Sequence, residues 1–436
     1  MKTKYNLVFL IALLYAAGAQ GQQLSLGDAI QKALESNYQI QVQENLVEVA
    51  DNSVHIGNAG LLPTVSARGS YNASVTSSKQ VFAGGFPPVD VDGAGSQTMS
   101  ASASLNYNLF NGLSGINNFA RLKVNKAAVD AQSKAAIEAL IIQVCQSYLS
   151  LQRAQDQLSI LEANLAVTHN RYERAKVANE LGSNNKTELL NARVALTADS
   201  AQLLQAELLR TTQVHNLERL LGQDLGLDIR TVSEELIVRS WTLDAILEEA
   251  QKHNSSLEQR RMQTELAEKD LAIQRANFIP SLALTAGYGY NKNINDVGIL
   301  LENTSIGPNA GLTLSVPIFG GMRNQIQRQN LKIAVENAEL LEADAQLALT
   351  TQVRNAEANY SQNLRLYLME EQNLEAAELN LERSTELFQL GQITQTQFRE
   401  AQLNMVATRD RISAAKVNVL LSELQILQLT GKLLGE

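Results

Sequence analysis

The chain is written twice. Residues 24–225 and 241–434 carry one pattern: Asn37, Pro63 and Tyr71 align with Asn254, Pro280 and Tyr288 at an offset of 217. Beyond that, Leu109-Phe110-Asn111-Gly112 aligns with Ile318-Phe319-Gly320-Gly321 at an offset of 209. The second offset holds through Leu181-Gly182 with Leu390-Gly391, Ala192 with Ala401, and Leu220-Leu221-Gly222 with Leu429-Thr430-Gly431. The period is far beyond the roughly 20–50 residues of a solenoid unit, so the pattern is a duplicated half rather than a stacked array. Each half reads helix, strand, strand, very long helix, helix.

Prolines mark where the reading changes. Pro63 and Pro280 each close a helical pattern and open an alternating one, since proline lacks the helical N–H donor and pushes its predecessor to extended geometry. After Pro63, Val65, Ala67, Gly69, Tyr71, Ala73 and Val75 fall on one face and Ser66, Arg68, Ser70, Asn72, Ser74 and Thr76 on the other. The same alternation predicts strands over 64–76, 98–110, 281–291 and 309–319, with 79–97 and 292–308 as external loops. Strands of about ten residues match a tilted transmembrane strand, and nearly pure Ser, Asn and Thr faces suit a wet interior. A soluble sandwich sheet alternates too, but these strands are only four and are dispersed among very long helices. Four strands cannot close a barrel, and an open edge in lipid leaves backbone groups unpaired. If the strands lie in a membrane, several chains share one barrel.

No proline interrupts residues 89–279 or 318–436. Ile137, Val144, Leu151, Leu158, Leu165 and Tyr172 recur every seven residues, as do Val353, Tyr360, Tyr367, Leu374, Leu381 and Phe388. A sustained heptad marks helices that coil around neighbours. It predicts long helices over 113–180 and 322–389, each on the order of 100 Å at 1.5 Å per residue. Return helices follow over 187–221 and 396–430. The fold class is therefore α+β: long antiparallel coiled-coil helices plus four amphipathic strands, internally duplicated. The first repeat spans 22–222, an irregular linker 223–240 joins the halves, and the second repeat spans 241–436. A plain coiled-coil rod explains the helices alone but not the strands.

Residues 1–21 read as a secretory leader, with Lys2 and Lys4 ahead of a short apolar stretch and small residues after it. The formal charge of −9 and the lack of a basic patch argue against nucleic acid. The lone Cys145 allows no intrachain disulfide and reads as packing. His55, His169, His215 and His253 share no metal spacing. Glu234-Glu235 and Glu370-Glu371 read as solvated charges. Without a phosphate loop or nucleophile elbow, the expectation is no enzyme, no cofactor and no metal.

In order and spacing, the Leu-Leu-Pro-Thr-Val-Ser and Phe-Ile-Pro-Ser-Leu-Ala runs at 61–66 and 278–283, the Val-Pro-Ile-Phe-Gly-Gly run at 316–321, and the turns Glu180-Leu181-Gly182 and Gln389-Leu390-Gly391 resemble the TolC-type outer-membrane efflux family over nearly the whole mature chain. The resemblance implies a homotrimer in the outer membrane of a Gram-negative cell. Its three chains would close a 12-stranded barrel and an α-helical tunnel across the periplasm. A periplasmic adaptor and an inner-membrane pump would be its partners. It further implies a gate at the periplasmic tip, where two acidic positions of the second copy fall on Gln397 and Glu400. The first-copy counterparts are Thr187 and Glu188. A basic latch residue of well-known members falls on Ile393, so that latch is missing, and an easily opened tip is expected. Adaptor docking is implied at Leu181, Gly182 and Ser183 and at Leu390, Gly391 and Gln392. These glycines also suit helix caps. A periplasmic coiled-coil scaffold without a pore, and a dedicated protein-secretion outlet, remain as alternatives.

Overall fold

The computed structural model describes residues 23–81, 83–85, 87–182, 186–298 and 300–434. The leader at 1–21 and Ser183 lie outside the described residues. In chain order the elements are β1 (Gln23–Leu24), α1 (Leu26–Ser36), α2 (Tyr38–Ser53), β2 (Thr64–Gln80), β3 (Val89–Asn111), α3 (Ser114–Glu180), α4 (Lys186–Leu221) and β4 (Arg230–Thr231). Then come α5 (Leu243–His253), α6 (Ser255–Ala276), β5 (Ser281–Asn295), β6 (Glu302–Ser315), α7 (Arg323–Gln389) and α8 (Gln395–Leu429). The described residues divide into two compact units, one within 23–46, 131–258 and 344–434, the other within 47–130 and 259–343.

The second unit holds one antiparallel sheet in the order β2-β3-β5-β6. Its register joins the alternating faces seen in the sequence into continuous rows. Val65 pairs with Leu105, Leu105 with Ala286 and Ala286 with Ala310 on one face. Ser70, Ser100, Asn291 and Ser305 form a row on the other. Small hydroxyls bond across that polar face, Ser66 to Ser104 at 3.0 Å and Ser70 to Ser100 at 2.7 Å. Pro308 sits opposite Tyr288 on the edge strand β6, where its missing donor breaks no ladder among the described strands.

Three details depart from the alternation. The strands continue into the expected loops 79–97 and 292–308: β2 runs to Gln80, β3 starts at Val89, β5 runs to Asn295 and β6 starts at Glu302. Val89 and Val91 pair with Gln80 and Ser78, and a bulge between Thr76 and Ser78 absorbs the register shift. A second bulge between Asn108 and Phe110 places Phe110, not Leu109, opposite Leu282. The fourth strand ends at Ser315 rather than 319, just ahead of Pro317.

In the first unit, each leading helix is broken where the reading expected one. The breaks fall on the repeated asparagines. Asn37 Nδ2 donates to the Leu220 carbonyl at 2.8 Å while its Oδ1 accepts from the Gln39 amide. Asn254 repeats this with the Leu429 carbonyl at 3.2 Å and the Leu257 amide. Each asparagine thus caps a new helix and satisfies a C-terminal carbonyl of the return helix. Beside them, Gly222 and Gly431 both have φ of +66°. A Cβ at Gly222 would lie 2.7 Å from the Ser36 carbonyl oxygen, and one at Gly431 would strike that of His253. Only glycine serves there.

Two cores follow the duplication. Leu24, Ala29, Val144, Tyr148, Leu151, Val214 and Leu221 form one, and Ile246, Leu257, Val353, Tyr360, Val419 and Ile426 the other. The linker is not wholly irregular, since β4 pairs parallel with β1. The Tyr148 hydroxyl bonds the Leu24 and Val232 carbonyls at 2.8 Å each, and the Tyr360 hydroxyl bonds the Arg239 carbonyl at 3.0 Å. Cys145 is fully buried, and burial pushes its thiol up to about 12.

Candidate functional site

Both long helices end at a glycine in the left-handed region. Gly391 has φ of +71°, its N–H bonds the Phe388 carbonyl at 3.1 Å, and the Gln392 N–H bonds the Leu387 carbonyl at 2.9 Å. This is a Schellman cap. Gly182, at φ +70°, donates to Asn179 at 3.1 Å in the same way. A Cβ on either glycine would meet open space, so backbone conformation alone explains the residue type. The preceding leucines, Leu181 and Leu390, are 77% and 70% exposed. The turns therefore present two uncovered leucines beside two bare backbones.

Gln397 is engaged locally. Thr394 and Gln397 form a capping box that opens α8: the Gln397 amide donates to Thr394 Oγ1 at 3.3 Å, and Thr394 N–H donates to Gln397 Oε1 at 2.8 Å. Glu400, Thr187 and Glu188 are exposed. Glu188 lines a cavity with Gln389 and Gln395, so the first turn of α4 meets the second-copy turn. Ile393 is half-buried.

A buried polar network adjoins these residues, and the sequence reading missed it. Asp199 on α4 is 1% exposed. It accepts from Thr168 of α3 at 2.6 Å and is bracketed by the Arg399 guanidinium of α8, with one N–H···O distance at 2.8 Å. Gln402, one turn along α8, donates to Asn164 Oδ1 at 2.6 Å and to Thr168 at 3.0 Å. One ion pair and its hydrogen bonds thus tie α8 to both helices of the first repeat. The signal was present: Ala192, Asp199 and Ala206 recur every seven residues on α4 and are all buried. A carboxylate in such a seam requires a cation.

The same contacts order the helices of this unit. α4 meets α3 through Thr168 and Asp199. α3 meets α8 through Arg399, Gln402 and the Ser413–Asp156 bond. α8 meets α7 through the stacked Phe388 and Phe398 rings, 4.9 Å apart, and the Arg411–Glu370 pair at 3.1 Å. These contacts run α4-α3-α8-α7, with Arg399 also reaching from α8 to α4, and the two helices that end the run carry exposed apolar side chains, Val194, Leu204 and Leu208 on α4 and Leu347, Leu368, Met369 and Leu379 on α7.

Comparison with known proteins places this architecture. The family model described as outer membrane efflux protein matches residues 29–223 and 246–432, one match per repeat. The outer membrane protein TolC of Vibrio cholerae is 26% identical over 411 residues, covering 89% of this chain and 91% of that protein. The alkaline protease secretion protein AprF of Pseudomonas aeruginosa is 26% identical over 309 residues, covering 68% and 62%. The Campylobacter jejuni CmeC outer membrane channel has the same fold, with a TM-score of 0.77 at 17% identity over 94% of this chain and 86% of that one. The chain belongs to the outer membrane efflux protein family and is an outer-membrane protein.

Proposed function

From this membership we propose that the protein is a passive exit duct: a homotrimer gated at its helix turns and fed by a periplasmic adaptor and an inner-membrane pump. The observation that carries the reading is the pair of open edges. β2 and β6 are the outer strands of a four-stranded sheet whose faces divide into polar and apolar rows, and an open sheet edge is untenable in lipid. The helices α4 and α7 carry exposed leucines. Docking β2 of one chain on β6 of the next would close the sheet, and docking α4 of one chain on α7 of another would cover the exposed leucines. Three copies then give 12 strands, with the Ser and Asn faces inward and wet. No described helix is long and apolar enough to cross a membrane.

The proposed gate is at the turns. Although Ile393 supplies no latch, the Arg399–Asp199 pair joins the second hairpin to the first within one chain and is the proposed hold on the tip. Glu400, exposed beside Arg399, is the proposed acidic ring, favouring cations. Leu181, Gly182, Leu390, Gly391 and Gln392 are the proposed adaptor contacts. The family name favours efflux; the likeness to a protease secretion protein keeps a protein-secretion outlet as the second reading. The test is single-channel conductance of the purified protein in planar bilayers. Discrete steps are expected, larger or more frequent in Arg399→Ala, with cation preference reduced in Glu400→Gln. Silence in both the wild type and Arg399→Ala contradicts a duct. Unchanged selectivity in Glu400→Gln contradicts the ring.

A further inference from the structure

A cavity of about 440 Å³ opens among α3, the first turn of α4, the end of α7 and the start of α8. Its walls are mixed, with neutral polar side chains and the acidic Glu188 among them. Val167, Ala175, Phe388 and Phe398 are apolar, while Arg171 and Arg174 are cationic. Arg171 is unusual: the residue is only 7% exposed, and its Nε and Nη1 have no hydrogen-bond partner among the described residues. The nearby carboxylate of Asp199 is already bracketed by Arg399. Burial pulls the Arg171 pKa down, and the Arg399 guanidinium adds to this, with Asp199 opposing. Even so, an arginine stays charged in a protein. A buried, unpaired guanidinium is costly and takes an anion when one is offered.

We propose that this cavity binds a small organic carboxylate with a flat apolar body, the carboxylate on Arg171 and the body against the stacked Phe388 and Phe398. The size lies within the usual range for small-molecule sites, about 300–1,000 Å³. The planar guanidinium fork matches a carboxylate, and the ring pair offers a face for stacking. Glu188 on the wall opposes the binding of any anion. The site would sit between helices of the two repeats, and its occupation does not depend on whether the chain conducts.

The probe is 4-fluorobenzoate, followed by ¹⁹F NMR on the full-length protein in detergent. The expected result is saturable broadening that unlabelled benzoate reverses, at least tenfold weaker binding of 4-fluorobenzamide, and at least tenfold weaker binding of 4-fluorobenzoate to Arg171→Met. That variant removes an unpaired buried charge, so its oligomeric mass and melting temperature should match or exceed the wild type. Glu188→Gln, an exposed position, should tighten binding about threefold. Equal binding of the amide, or undiminished binding to a folded Arg171→Met, overturns the proposal. So does displacement by inorganic phosphate as effective as by benzoate, which would mark an adventitious anion site. If Arg171→Met fails to fold, unchanged or weaker binding to Glu188→Gln overturns it in its place.

Discussion

α3 and α7 are both 67 residues long and carry matching heptads, yet they live in different surroundings. α3 has neighbours on two sides and buries a second line, Ala154, Leu161, Thr168 and Ala175, beside its heptad residues. α7 buries only Leu349, Val353, Ala356 and Tyr360. At the position of Leu161 the second repeat has Glu370, half-buried against Arg411. A heptad therefore announces one seam but not how many partners a helix will have. The two repeats share the seam and differ at the other faces, where α3 is the more buried and α7 the more exposed.

The comparison can be broken most severely at the inner seam. Arg399→Ala leaves Asp199 buried without its cation and should destabilise the protein by roughly 3–5 kcal/mol. Arg411→Ala, which frees a more exposed pair on the α7 side, should cost less than about 1 kcal/mol. Denaturant unfolding followed by circular dichroism reads both, and equal effects would erase the distinction between the more buried seam and the more exposed one. Next in size, Leu151→Ala in the α3 core should cost about 2–5 kcal/mol as a cavity mutation. Leu368→Glu on α7 should instead leave helix content intact and reduce the oligomer. Unfolding by Leu368→Glu with no change in assembly would show that α7 is not an outer face. The repeated asparagines offer a finer contrast. Losing a buried hydrogen bond costs about 1–3 kcal/mol, and Asn37→Ala should fall higher in that range than Asn254→Ala, whose bond is longer and less buried.

The smallest expected effect concerns pH. Glu138 of α3 is buried against Ser255, and burial raises its carboxyl pKa, with the Ser255 hydrogen bond opposing. The folded state then holds the proton more tightly than the unfolded state. Its stabilising contribution is complete below the unfolded value and is lost as pH rises through the raised one. Glu138→Gln should match wild-type melting below about pH 4 and exceed it at neutral pH. A wild-type advantage at neutral pH would contradict the assignment.

Much of this architecture was legible in the chain. Prolines and alternation marked the strands, and Gly182 and Gly391 marked the turns, because these depend on local backbone chemistry. What escaped depended on partners. Nothing local distinguishes Phe110 from Leu109 as the residue that faces Leu282; the bulge is set by the neighbouring strand. Asn37 and Asn254 aligned as repeats, but their role needed the carbonyls of Leu220 and Leu429, more than 170 residues away. The Arg399 network joins three helices, and only Asp199, sitting in a line of alanines, hinted at it. Gln397 aligned with an acidic position, yet its amide serves the helix cap.

The central claim is that the open edges of one chain close on those of another. The most direct test is the native mass of the protein extracted with detergent from outer membranes. The account predicts three chains. A monomer in detergent, or a protein recovered from the periplasm without detergent, would leave β2 and β6 with nothing to pair and would contradict it.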